Sequence, residues 1–403
     1  MSILISGASI SGPVLAYWLA RYGFDVTIVE RAPQLRKTGG HAVDLFRPAM
    51  EISEKMGVLP RIEALATGTN TATICREGTG RPVRVDITKA VGAVSDRHVE
   101  IMRDDLSEAY YDAGRDDVEY IFGDSITAIS PDGDVTFEHA APRTFDVVVG
   151  ADGLHSNVRR LTFGEDAGHT QFLGGYLAVE SVPKPLAHDG EMNGHIGAGR
   201  LAAIYTAQPL DDARALFMFR SKEELQYHYR DVVRQKDLLR AAFIGMAPEV
   251  DSWLDELDCA PTFYFDSITQ LQLDTWSRGR VTLVGDAGYC PGPAVGGSTS
   301  IAVLGAYILA GELAQANGDY TRAFAAYEAE MGEPVRRSRA MARGIAKGLI
   351  PNSRAGVWAL THGAQLISML PAPLTKAVAR LNTKGVRLYD SMQYKEYSTP
   401  AVG

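Results

Sequence analysis

The chain opens with a short apolar stretch, residues 1–6, that runs without a break into the turn Gly7-Ala8-Ser9-Ile10-Ser11-Gly12. Over residues 13–22 the pattern turns helical, with Val14, Leu15, Trp18 and Leu19 on one face and Gly23 as a stop. Residues 24–30 then read as a second strand that ends on an acid. Two strands joined by a helix must run parallel, so the N-terminus points to an α/β fold.

The turn also carries chemistry. Gly7 permits the tight bend and Gly12 the close packing of helix on strand. The helix N-terminus presents free N–H groups suited to a pyrophosphate. Glu30 stands where an acceptor for a ribose hydroxyl is expected, and Ser9 takes the place of a middle glycine. Strand, helix and acid in register make this a dinucleotide fingerprint. The alternative is a plain strand-to-helix turn with a surface glutamate.

Two later segments repeat the strand-to-turn theme. In Asp146-Val147-Val148-Val149-Gly150-Ala151-Asp152-Gly153 a strand runs into a small-residue turn, and Ser156 and Arg159 follow at helical spacing. Asp152 suits a ribose or an ordered water, and Arg159 a phosphate or the turn itself. A capped turn with no ligand is an equal reading. Residues 280–285 read as a buried strand that delivers Asp286 into a run of small residues from Gly285 to Ser298. A helix beginning near Thr299 would face an anionic ring or ribityl chain with its free N–H groups. Here too a simple β-to-α connection is the other reading.

Between these motifs, residues 44–66 look helical, 70–100 alternate like short strands, and 103–111 are helical again. Strands at 118–122 and 145–149 flank a hairpin around Pro131-Asp132-Gly133-Asp134. Strands dominate from 174 to 273, interrupted by a charged helix near 222–246, and 321–348 and 353–390 are mostly helical. A chain of 403 residues fits two domains at about 150 residues each. The expected division is a nucleotide-binding domain of residues 1–70, 97–172 and 275–320, and an inserted β-sheet domain of 71–96 and 173–274. Residues 321–403 form a helical C-terminal segment bridging them.

Composition excludes several classes. Forty Lys and Arg against 49 Asp and Glu give a net charge of −9, without the basic excess of a nucleic-acid binder. Three widely spaced cysteines suggest reduced thiols in a cytoplasmic protein, and the nine histidines show no metal-ligand spacing. The uncharged N-terminal run lacks a basic leader and carries Ser6, Gly7, Ser9, Ser11, Gly12 and Pro13, while residues 301–311 fall short of the roughly 20 needed to span a bilayer. No membrane span and a monomer are expected.

Taken in order, the three motifs resemble the FAD-dependent aromatic hydroxylases. These are the single-component flavoprotein monooxygenases that include para-hydroxybenzoate hydroxylase. Within them the chain looks like the tetracycline-inactivating and actinobacterial polyketide-tailoring branch. The resemblance spans residues 3–320 and implies a Rossmann-type FAD-binding domain with an inserted β-sheet substrate domain and a helical C-terminus. Gly7, Ser9, Ser11, Gly12 and Glu30 match the ADP-binding turn and ribose acceptor, and Arg31 a basic residue against the adenosine. Arg103, in Met102-Arg103-Asp104-Asp105-Leu106, matches an arginine that reaches the cofactor from the next helix. Arg47 corresponds to an arginine near the flavin, or is a surface residue before Pro48. Asp152 and Gly153 match a motif tied to FAD and the nicotinamide nucleotide. Asp286 matches an acid at the ribityl or pyrophosphate region, Pro293 a proline beside the isoalloxazine, and Gly296, Gly297 and Ser298 donors toward its pyrimidine edge. The chain departs from the family at Tyr289, where His is frequent, at Gly297 and Ser298, where Gln and Gly follow the first glycine, and at Ser300, where Asn is common.

The resemblance implies that NADPH or NADH reduces FAD, and that O₂ adds to give a flavin C4a-hydroperoxide. Its distal oxygen passes to an aromatic or polyketide-like small molecule, with antibiotic modification as one outcome. No catalytic side chain is required beyond the flavin-proximal Arg47 and Pro293. With one dinucleotide fingerprint present, the nicotinamide co-substrate binds transiently. The substrate is expected between the β-rich segment and the flavin, with Arg220, His195 and Tyr205 as candidates that also read as ordinary strand residues. Phe263-Tyr264-Phe265 reads as sheet core. Rival readings are a flavin-linked reductase or dehydrogenase and a non-catalytic flavin-binding module. A halogenase is disfavoured because its Trp-x-Trp-x-x-Pro motif is absent.

Overall fold

The N-terminal pattern folds into the strand Ser2–Ser6, the helix Ser11–Arg21 and the strand Asp25–Glu30, with the two strands parallel and Ile3 opposite Val26. The computed structural model describes residues 1–35, 40–79, 82–92, 95, 97–164, 169–207, 210–293, 297–369, 389 and 392–398. The N-terminal strands lie inside a six-stranded sheet. Its order is Ser277–Arg278, Val281–Leu283, Val147–Gly150, Ser2–Ser6, Asp25–Glu30 and Glu119–Phe122, and all but the first strand are parallel. Ile3, Leu4, Ile5, Val147, Val148, Val149 and Leu283 are fully buried. Such unbroken apolar runs belong to a sheet covered on both faces. The helix Ser298–Gln315 is buried almost all round and packs against Ser11–Arg21 and the long helix Tyr320–Leu349. That position accounts for its apolar sequence without a membrane. Among the described residues no helix is long and apolar enough to cross one.

A second sheet of seven strands runs Phe263–Leu271, Thr170–Pro183, Asp212–Arg220, Arg200–Tyr205, Glu191–Gly197, Thr71–Arg76 and Pro82–Asp86. All its pairs are antiparallel except Glu191–Gly197 with Thr71–Arg76. Alternation along the strands gives it two apolar faces. Tyr176, Ala178, Phe217, Phe219 and Phe265 pack under the helices Val232–Phe243 and Pro248–Asp255. Leu177, Val179, Met218 and Ile268 meet Ala342, Ala346 and Ile350 of the C-terminal helical segment. We refer to this second face as the inner face.

The helix expected over residues 44–66 is a strand and two helices. Ala42–Phe46 pairs antiparallel with His98–Met102, and the helices Arg47–Lys55 and Leu59–Ala64 follow. Each of these helices has a proline in its first turn, where a missing N–H costs nothing, and Gly57 breaks the chain between them at φ +76°. The strand pattern before residue 100 contains a short helix, Ile87–Gly92. The charged helix of the β-rich segment is confined to Val232–Phe243. Of the helical stretch expected over 353–390, Arg354–Met369 is a helix and residues 370–388 lie outside the described residues.

Candidate active site

The three motifs converge because their strands are neighbours. Gly150 is in register with Ser6 on one side and Leu283 on the other, so all three turns leave the carboxyl end of one parallel sheet. Across that edge Asp286, Asp152, Gly7 and Glu30 follow in order, which is where open α/β sheets bind ligands. The first turn admits only glycine at two positions. A Cβ on Gly12 would lie 2.0 Å from the Gly7 carbonyl oxygen, and one on Gly7, at φ +109°, 2.6 Å from that of Ala151.

Arg103 begins the helix Arg103–Gly114 and donates to Ser9 Oγ at 3.1 Å. Ser9 is held from the same helix by Ser107, whose hydroxyl donates to the Ser9 carbonyl at 2.9 Å. The serine that replaces the middle glycine therefore ties the turn to the arginine. Arg103 also faces Asp286: burial raises the Asp286 pKa, and the guanidinium charge opposes that rise. The Arg103 backbone N–H donates to the His41 carbonyl at 3.1 Å, and the His41 pKa is lowered to about 4 by burial and by the arginine charge. The His41 ring lies 5.6 Å from that of Tyr264 on the second sheet.

Glu30 accepts the N–H groups of Ala8 and Ala32, each at 2.9 Å, and so braces the turn it was expected to serve. Asp152 accepts from the Ser156 hydroxyl and from the N–H groups of Asn157 and Val158. Burial raises its pKa, opposed by those bonds. Arg159 is wholly buried and donates to the carbonyls of Leu154 at 2.6 Å and Ala287 at 2.9 Å. Of the two readings open for this motif, the bonds are those of a locked, capped turn. Gly153 shapes the same turn at φ +82°. Arg31 is exposed just beyond Glu30. Arg47 pairs through Nε with Glu51 at 2.8 Å on its own helix and is half exposed.

The third turn is held from several sides. Gln270, fully buried, donates to the carbonyls of Pro291 and Arg339, both at 3.0 Å. This tethers the loop before Pro293 to the second sheet and the long helix. Gly296 lies outside the described residues. Gly297 is the left-handed N-cap of Ser298–Gln315 at φ 80°, with no side-chain cap on the N–H groups that follow, and Ser298 begins the helix. Ser300, the residue in place of Asn, accepts the Phe46 N–H at 2.9 Å and so joins this helix to the start of Arg47–Lys55. Tyr289, in place of His, is buried in the core with its hydroxyl 3.1 Å from that of Tyr327 and its ring 5.2 Å from Trp276. These residues fit FAD: a phosphate-sized turn without side-chain bulk, a cation beside it, an acid at the middle strand ends and an uncapped helix start.

The substrate candidates separate. Tyr205 is buried on the inner face opposite Arg214, and its hydroxyl accepts the Ala42 N–H at 3.0 Å. It is not the exposed strand residue that its sequence context suggests. Arg220 sits at the far end of the strand and donates to Ile350 O at 3.4 Å and Asn352 Oδ1 at 3.2 Å, closing off the end of the long helix. His195 lies under Pro248–Asp255, 3.7 Å from Glu249 and 6.0 Å from the Trp253 ring centroid, on the outer face away from Arg103. Its register with Ala202 puts it there. The stripe Phe263-Tyr264-Phe265 is likewise split. Phe263 and Phe265 pack on the outer face, and Tyr264, opposite Val179, is on the inner one.

His41, Arg214 and Gln270 lie outside the motifs of the sequence. Arg214 is buried, pairs with Asp212 at 2.6 Å and donates to the Gly40 carbonyl at 3.4 Å, so it joins the sheet to the segment before Arg47. The available signal was an arginine between apolar strand neighbours, Ala213 and Ala215.

Comparison with known proteins agrees with this geometry. A family model described as an FAD binding domain matches residues 1–331. An uncharacterized protein of Mycobacterium tuberculosis is 44% identical over 347 residues, covering 84% of this chain and 91% of that protein. A flavin-dependent monooxygenase of Legionella longbeachae is 37% identical over 335 residues, covering 82% of this chain and 84% of the relative. Among solved structures, the tetracycline destructase Tet(55) superposes with a TM-score of 0.82 at 31% identity, covering 98% of both chains.

Proposed function

The chain belongs to the FAD-binding family of flavin-dependent monooxygenases, and from that membership we propose that it uses NADPH or NADH and dioxygen to hydroxylate an aromatic or polyketide-like small molecule. The observation that carries this reading is the convergence of three turns at one sheet edge, with Arg103 between Ser9 and Asp286. Bound FAD supplies the redox chemistry, taking electrons from the nicotinamide and passing them to dioxygen.

The protein's share is binding, orientation and exclusion of water. The start of Ser11–Arg21 and Arg103 hold the pyrophosphate, and Glu30 the ribose. With FAD bound, Asp286 would serve the ribityl chain, Pro293 would lie beside the ring, and the N–H groups from Gly297 would favour negative charge at its pyrimidine edge. Substrate lies against the inner face between Tyr205 and Tyr264. In this reading the chain divides into FAD-binding, substrate and C-terminal segments, and the protein acts as a cytoplasmic monomer. A likeness of this extent to a tetracycline destructase favours a fused-ring phenolic substrate and an inactivating hydroxylation.

The test is NADPH and NADH oxidation by the purified flavoprotein with a panel of phenols and tetracyclines. Oxidation accelerated by one of them, with matching oxygen uptake, supports the proposal. Acceleration that is indifferent to oxygen makes the protein a reductase instead.

A further inference from the structure

Tyr389, near the C-terminus, is only 2% exposed. Its ring stacks on Phe46 with centroids 4.7 Å apart and planes within 6°. Its hydroxyl lies against Gly297, where a Cβ would fall 1.7 Å from Oη. Phe46 in turn donates its N–H to Ser300 Oγ at 2.9 Å. Phe46, Gly297, Ser300 and Tyr389 are therefore one packed unit at the start of Ser298–Gln315. Residues 392–398 are fastened to the other end of the same helix. The Tyr397 ring fills the space left by Gly311, its hydroxyl donates to Glu312 at 2.7 Å, and its N–H donates to Tyr307 Oη at 3.2 Å. Lys395 binds the same Glu312 carboxylate at 2.7 Å.

We propose that Tyr389 is a positioning residue for the flavin, contributed by the C-terminal tail. It rests on the reading that the N–H groups from Gly297 meet the pyrimidine edge. Packed against the glycine, the phenol holds its left-handed backbone in place, and through Phe46 it fixes the approach of the Arg47 helix. Any side chain at 297 would have to displace the tyrosine, so the two positions are specified together. The tail is then part of the cofactor site, although no motif in it resembles a nucleotide-binding sequence.

The experiment is FAD titration of the apoprotein, followed by flavin fluorescence, with wild type, Tyr389→Phe, Tyr389→Ala, Gly297→Ala and the double Ala variant. Apoprotein melting is recorded for each. Wild type binding FAD establishes the site itself, and wild type failing to bind would defeat the cofactor reading rather than this one. The expected result is that Tyr389→Ala weakens FAD by about tenfold or more, beyond what its lower apoprotein melting accounts for, and alters bound-flavin fluorescence, while Tyr389→Phe stays within about twofold. Gly297→Ala should be less damaging when residue 389 is also Ala, because the clash is then absent. Tyr389→Ala that binds FAD as wild type does, or weakens it only in step with lower apoprotein melting, overturns the proposal. Strictly additive losses in the double variant do so as well.

Discussion

Arg159, fully buried, donates to the carbonyl of Ala287 at 2.9 Å and so locks the turn after one strand to the turn after its neighbour. Its second bond, to Leu154 at 2.6 Å, closes the Asp152 turn on itself. Arg159→Met keeps the stem and strands both carbonyls. The expected cost is about 3 kcal/mol, read as a lower denaturant midpoint, with weaker FAD binding in parallel. An unchanged midpoint would show that the two turns stand without the lock.

Arg103 is bonded to Ser9 of the fingerprint turn at 3.1 Å. Arg103→Ala should weaken FAD by about 2 kcal/mol while circular dichroism stays native, since a charge-assisted contact to the cofactor is what is lost. Arg103→Lys should restore only part of the affinity, because an ammonium cannot replace the planar fork. Full rescue by lysine would mean that charge alone matters at this position.

Glu180 is fully buried, and among the described residues neither of its carboxylate oxygens has a hydrogen-bond partner. Burial raises its pKa from 4.5 to about 9, with Lys236 and Arg240 opposing. The native protein thus holds a proton that the unfolded chain releases. Stability from this group is complete below pH 4.5 and is lost as pH rises toward 9. Glu180→Gln should therefore gain about 3 kcal/mol over wild type at pH 7 and almost nothing at pH 4. A gain of equal size at both pH values would contradict the account.

The two faces of the second sheet predict different kinetics. Tyr264→Ala, on the inner face, should lower kcat/KM by about tenfold or more, whereas His195→Ala, on the outer face, should stay within about threefold. Comparable losses from both would place the substrate elsewhere.

The three turns were legible in the sequence because each is local: a strand, small residues and a helix start within about 15 residues. Their convergence comes from the sheet order, in which three strands far apart in the chain, Ser2–Ser6, Val147–Gly150 and Val281–Leu283, lie side by side and parallel. The substrate side was not legible. His195 and Tyr205 both read as strand residues, and only the register opposite Ala202 and Arg214 assigns them to opposite faces. The strand Ala42–Phe46 was hidden because its partner, His98–Met102, is far along the chain. Tyr289 and Ser300 look like departures at a ligand, yet one fills the core beside Gly305 and the other joins two helices.

Monooxygenation requires that oxygen from O₂ enter a small-molecule product. The direct measurement is turnover under isotopically heavy dioxygen in ordinary water, with the product weighed by mass spectrometry. One heavy oxygen atom per hydroxylated product, formed only when FAD, a reduced nicotinamide and substrate are all present, is the predicted result. Nicotinamide oxidation that leaves the substrate unlabelled and unaltered would contradict it.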